Sequence, residues 1–152
     1  MATTNAEARQ QLLDAVGEAA DELGSGLALL GTAYERLDER AADQLEEELF
    51  RPVQTAYGRA QRTHSEFAAR YDLPRRTFAP GAPGAPSQDA RHLIDAAVDA
   101  VAKADETLAT LQDSMVPVEF GDPEVRAGLQ GVRELLGPLR VRARELVRTL
   151  GR

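Results

Sequence analysis

Residues 13–37 read LDAVGEAADELGSGLALLGTAYERL. Within them Leu13, Val16, Ala20, Leu23, Leu27, Leu30, Tyr34 and Leu37 recur at alternating steps of three and four. That spacing lays one apolar seam along a single face of a helix. Just upstream, Thr4-Asn5-Ala6-Glu7 has the form of a capping box, in which hydroxyl and carboxylate each take an orphan N–H at the helix start. The predicted helix is roughly 33 residues long, about 50 Å at 1.5 Å per residue. Neither glycine nor proline marks its end. What ends it is a loss of phase: continuing the seam would bury Gln44 and Glu48, whereas Ala42, Leu45 and Leu49 restart the apolar set one position later. A tight turn at Leu37–Arg40 with Asp38 as the next cap follows.

Working outward, the second helix is expected to reach about Asp72, with Leu49, Val53, Ala56, Ala60, His64, Phe67 and Tyr71 facing inward. The stretch 73–87 holds the repeated Ala-Pro-Gly of Ala79–Pro86 and reads as an extended linker, either crossing the molecule or hanging loose. Ser87 is the expected cap of a third helix with the seam Ile94, Ala97, Val101, Ala104, Leu108, Leu111 and Met115. Val116–Gly121 reads as a loop. Asp122-Pro123-Glu124 then supplies N-cap, N1 proline and first-turn acid for a fourth helix, marked by Val125, Leu129, Val132, Leu136, Leu139, Ala143, Leu146 and Leu150. The fold class expected is all-α, a four-helix up-and-down bundle forming one domain over 1–152: hairpin 4–72, linker 73–87 and hairpin 88–151.

The two halves resemble each other. Leu12-Leu13-Asp14-Ala15 returns as Leu93-Ile94-Asp95-Ala96, and Glu48-Leu49-Phe50-Arg51-Pro52-Val53 as Glu134-Leu135-Leu136-Gly137-Pro138-Leu139. A duplicated hairpin is the expectation, with Pro52 and Pro138 as matched kinks that could open a pocket. Gly17, Gly24 and Gly31 stand seven apart beside the first seam. Each costs about 1 kcal/mol against alanine in a helix interior. The stripe reads as tight internal packing, as a flank for a partner helix, or, at Gly24-Ser25-Gly26, as a break.

Composition narrows the function classes. The 152 residues carry a net charge of −7, with no cysteine and no tryptophan. Disulfide scaffolds, thiol catalysis and thiolate metal sites are excluded. Acidity argues against a general nucleic-acid binder. No apolar run approaches the roughly 18 residues that span a bilayer, and Met1–Asn5 lacks the form of a secretion signal. A cytoplasmic protein with no membrane partner is expected. Only Lys103 among 18 basic residues is a lysine, a bias that reads as a bacterial, GC-rich origin. The charge is unevenly spread: −9 over residues 1–50, +4 over 51–87, −6 over 88–122 and +4 over 123–152. Alternation of that kind can select helix neighbours.

The chemistry-bearing motifs are sparse. A ferritin-like di-iron site needs Glu-x-x-His on two helices, and the residues three before His64 and His92 are Gln61 and Asp89. With only two histidines, a hemerythrin-like site is excluded as well. Asp89, His92 and Asp95 read as a solvated helix start rather than a metal site, so no metal and no cofactor are expected. None of the serines lies in a nucleophile elbow, and no phosphate-binding glycine loop is present. Phe50, Tyr57, His64 and Tyr71 repeat every seven residues, so Tyr34, Tyr57, His64 and Tyr71 are the candidate lining of a ligand pocket. Arg133, Arg140, Arg144 and Arg148 form a candidate basic face.

Arg59-Ala60-Gln61-Arg62-Thr63-His64 resembles the Arg-x4-His spacing of HEPN-type ribonucleases, which are also small helical bundles. The resemblance covers two residues and implies that Arg59 and His64 would act on a phosphodiester. On a straight helix, positions five apart point about 140° from one another, a poor arrangement for joint work. The leading functional expectation is therefore a non-enzymatic scaffold or protein-interaction module, binding a protein partner or itself as a homodimer. Binding of a small ligand near Pro52 and Pro138, at Tyr57 and His64, is the alternative. A HEPN-like ribonuclease comes third.

Overall fold

The capping box closes as the sequence requires. In the computed structural model, which describes residues 4–150, the Thr4 hydroxyl accepts from the Glu7 N–H at 3.1 Å, and the Glu7 carboxylate accepts from the Thr4 N–H at 3.4 Å. The reading of Met1–Thr3, the end of the second hairpin at Gly151 and the terminal Arg152 lie outside the described residues. From this cap α1 (Asn5–Glu35) runs without interruption through Gly24-Ser25-Gly26. The expected turn follows, and the Asp38 carboxylate caps α2 (Glu39–Leu45) by accepting the Ala41 N–H at 2.8 Å.

The second helix is not continuous. Between α2 and α3 (Arg51–Arg70) lies one widened turn, Glu46–Phe50, in which the Arg51 N–H reaches back five residues to the Glu46 carbonyl. Pro52 is the cause. It has no N–H for the Glu48 carbonyl, and its ring crowds that oxygen, so the helix gains a residue per turn to pass it. The Glu48 carbonyl instead accepts Arg142 Nη1 at 3.4 Å. At the other end, Asp72 adopts a left-handed conformation (φ 53°), and the Leu73 N–H closes on the Ala68 carbonyl at 2.8 Å.

Two sequence expectations are corrected in the second half. Asp89, not Ser87, caps α4 (Ala90–Asp113), its carboxylate accepting the His92 N–H at 2.8 Å. The Gln88 side chain holds the preceding turn through the Ala85 N–H. Val116–Gly121 is not all loop, because Val116–Glu119 forms a short helical turn, α5. Asp122 caps α6 (Pro123–Leu136) through the Val125 N–H at 2.7 Å, as read. Gly137-Pro138 interrupts the last helix, which resumes as α7 (Leu139–Leu150).

Every regular element among the described residues is helical. Ion pairs tie neighbouring helices to one another. Lys103 of α4 reaches Glu22 of α1, and Arg133 of α6 bonds Asp105 of α4 at 2.9 Å. Arg70 near the end of α3 grips Asp122 at the start of α6 with two bonds, of 2.7 and 3.0 Å. Burial opposes ionisation of Asp122, but the Arg70 guanidinium and the Val125 N–H outweigh it and hold the carboxyl below its ordinary range. The buried apolar side chains form one contiguous core, with Leu12, Leu13, Leu23, Leu30, Leu45, Phe67, Leu93, Ile94, Leu108 and Leu129 fully enclosed.

The linker does not hang loose. It lies along α1: Arg76 bonds Asp21 at 2.6 Å, the Gly84 N–H donates to the Thr32 hydroxyl at 3.2 Å, and Arg36 holds the Ala85 and Pro86 carbonyls. At Gly81 its backbone rests on that of Gly24-Ser25; a Cβ there would stand 2.5 Å from Ser25 Cα. Gly31, by contrast, faces open space. Gly81→Ala should therefore destabilise the protein by about 1–3 kcal/mol through overpacking. Gly31→Ala should stabilise it by about 1 kcal/mol through helix propensity. Urea unfolding of the two variants beside the parent checks both signs.

Candidate functional site

Along α3 the inward set continues from Ala60 through His64 to Phe67, so the helix carries an imidazole into the space between itself, α1 and the linker. His64 is 4% exposed and its Nδ1 is buried without a hydrogen-bond partner. Leaving such an atom unsatisfied costs about 1–3 kcal/mol. Phe78 of the linker meets the ring edge-on, centroids 5.4 Å apart, and the Arg76 guanidinium lies 4.4 Å from the centre of the Phe78 ring. Arg76 also fills the space beside Gly17. The groove over this stack, about 280 Å³, is lined by Gln10, Asp14, Glu18, Asp21, His64 and Arg76 among others. Burial, reinforced by Arg76 and opposed by Asp14, pushes the imidazole below its ordinary 6.5.

The four residues read as one ligand lining are not brought together. Tyr57 packs on Gly24, Tyr71 lies under the Arg9 guanidinium (4.1 Å) against Phe67, and Tyr34 is exposed near the end of α1. Pro52 and Pro138 do meet, lining one shallow groove with Glu47, Arg51, Thr55, Glu134, Leu135 and Arg142. Tyr57 and His64 are not part of it, because His64 stands roughly 18 Å further along the helix at 1.5 Å per residue. Arg59 packs over Gly131 of α6, whereas His64 faces α1 and the linker. The pair therefore opens onto different sides of α3.

The glycine stripe is divided. Arg76 covers Gly17, Tyr57 covers Gly24, and Gly31 is open. The basic face is divided too: Arg133 is tied to Asp105 and Gln112 of α4, while Arg140, Arg144 and Arg148 are exposed around Val141. Asp89 is engaged as a cap beside exposed His92. Among the described residues no cluster of three His, Asp or Glu side chains is placed to hold a metal ion, and no helix is long and apolar enough to cross a membrane.

A further feature escaped the sequence reading. Between α1 and α4 runs a mostly apolar groove of about 500 Å³ floored by Ala15, Leu111 and Val116, with Gln11, Glu18, Lys103 and Glu106 around it. In the turn that carries the lining residues Ser114 and Val116, Met115 is 51% exposed and Val118 56%. Met115 has a left-handed backbone (φ 68°), an uncommon state for a residue with a side chain. The seam placed Met115 inside because its spacing continued that of Leu108 and Leu111; the αL turn throws it outward. No protein-family model matches the chain, and neither a curated protein nor a solved structure is significantly similar to it.

The unsatisfied imidazole sets a pH dependence. The folded state favours neutral His64, so the unfolded chain takes up more protons as the pH drops below 6.5. Stability should thus fall from pH 6.5 downward and level off below the folded-state value. His64→Leu should abolish that slope without lowering stability at pH 7.5, measured by urea unfolding at pH 7.5, 6 and 5.

Proposed function

We propose that the chain is a non-enzymatic interaction module of the cytoplasm: a four-helix up-and-down bundle of two related hairpins that binds a protein partner or a second copy of itself through the α1–α4 groove. The observation that supports this reading is the pair Met115 and Val118, held exposed in the turn that carries the groove residues Ser114 and Val116. A left-handed backbone at a bulky residue costs on the order of 1 kcal/mol or more; the Met115 carbonyl accepts the Val118 and Glu119 N–H groups and so starts the next turn, while its side chain stays in solvent. Apolar side chains exposed next to groove-lining residues suit a protein contact site. Methionine suits such a surface because its unbranched, polarizable side chain adapts to irregular partners. The groups that catalysis would need to converge, His64 and Arg59 above all, lie on separate faces.

Self-association is tested by size-exclusion chromatography with light scattering from micromolar to millimolar protein. The expected result is a mass that rises with concentration, and a mass that stays monomeric when Met115→Asp and Val118→Asp are combined. A strict monomer at every concentration would overturn self-association. An unchanged oligomer in the double variant would remove the groove from the interface.

A further inference from the structure

We propose that residues 73–80 form an acid-released strap over α1, and that His64 is the group whose protonation lets it go. The strap is fastened unevenly. At one end the Leu73 N–H closes on Ala68, and at the other Thr32 and Arg36 hold residues 84–86. Between them Gly81 rests on the backbone of Gly24-Ser25, and residues 74–80 are fastened by a stack running from Asp21 through Arg76 and Phe78 to His64. The Arg76–Asp21 pair is roughly half exposed on both sides, so it contributes little by itself. Phe78 sits on the neutral, buried imidazole and against the edge of the core, and this apolar seat keeps the near half of the strap docked.

A proton on that imidazole changes the seat in two ways. Both ring nitrogens then carry hydrogen, and the buried Nδ1–H becomes a charged donor with no acceptor. The new charge also lies in the same groove as Arg76 and Arg75 of the strap. On the α1 side Asp14, Glu18 and Asp21 face this groove; Asp21 is already engaged by Arg76, and Asp14 accepts from Gln10 Nε2 at 2.9 Å. The ring's own helix offers only Ala60, Gln61, Phe67 and Ala68 one turn away, none of them titratable. Lifting residues 74–80 relieves both costs, since water reaches Nδ1 and Arg76 moves into solvent. The anchors at Leu73 and at 84–86 keep the strap tethered, so release is local. It uncovers Gly17 and the His64 ring and leaves the helical core closed.

The test uses the full chain with 4-fluorophenylalanine at its four phenylalanines, Phe50, Phe67, Phe78 and Phe120, the Phe78 fluorine being assigned with Phe78→Leu. From pH 7.5 to 5 the Phe78 resonance should move to its solvent-exposed position while the Phe50 and Phe67 resonances stay in place. Its midpoint should match the titration of the His64 ring protons and lie below 6.5. His64→Leu should hold the docked resonance across the range, and His64→Gln serves as a second non-titrating variant. Asp14→Asn, which removes the carboxylate that favours the proton, should shift the midpoint down. A Phe78 resonance that stays docked at pH 5 overturns the proposal. So does release at an unchanged midpoint in both His64 variants, or simultaneous movement of all four resonances, which marks global unfolding.

Discussion

The close approach of other backbones to α1 is the constraint on which the rest of the structure depends. This helix is buried along three stripes. Leu13, Val16, Ala20, Leu23 and Leu30 face the core; Leu12, Ala19, Gly26 and Ala33 form a second row; Gly17 and Gly24 form a third. Each small residue admits a specific neighbour. A Cβ on Gly26 would stand 3.5 Å from the Ala97 carbonyl and from Val101 of α4, Gly24 receives Tyr57 of α3, and the linker backbone lies on Gly24-Ser25 at Gly81. With larger side chains at these positions, α4 and the linker would be held off, and shallow packing forfeits dispersion contacts quickly. The intrinsic cost of glycine in a helix is offset here by apolar area removed from water on three sides.

The prolines show how such a fold tolerates a backbone defect. Pro52 leaves the Glu48 carbonyl without its helical donor, and an unpaired backbone acceptor is costly where water is scarce. Two adjustments answer it: the widened turn at Glu46–Phe50 and the guanidinium of Arg142, which comes from α7, just beyond Pro138. The second proline thus stands beside the repair of the first, and both line one groove. Arg142 also approaches the Glu48 carboxylate at 3.9 Å. One arginine serves a carbonyl and a charge together, so replacing it by lysine would forfeit the forked geometry.

Much of this was legible in the residues. The capping box at Thr4, the Asp38 and Asp122 caps and the phase shift after Leu37 are local signals, and each local signal was answered by the expected element. The second row on α1 was not legible, because Ala19, Gly26 and Ala33 are too small to register as a seam, although their heptad spacing was present. Asp89 displaced Ser87 as a cap because a cap is decided by where helical backbone begins, which is a matter of two residues. The course of the linker was also hidden. Its anchors, Thr32, Arg36 and Asp21, lie some 50 residues away in sequence and have polar side chains that any solvated helix face might carry. For the candidate site, periodicity correctly turned His64 inward. It also grouped His64 with Tyr57 and Tyr71, whose equal spacing puts them on one side of a helix but at successive levels, where different neighbours cover them.

Two local rules are broken among the described residues, at Met115 and at His64. Met115 presents an apolar side chain to solvent from a left-handed backbone, and His64 buries a nitrogen that bonds to nothing. The first lies by the α1–α4 groove and the second in the groove under the linker, and Glu18 of α1 lines both. Elsewhere Thr4, Asp38, Asp89 and Asp122 cap their helices, the proline-orphaned Glu48 carbonyl is answered and the core is closed. Departures from consistency in an otherwise well-satisfied sequence are the pattern that function leaves. The α1–α4 groove and the groove that holds the unsatisfied imidazole therefore flank the same first half of α1, and Glu18 is the residue common to both.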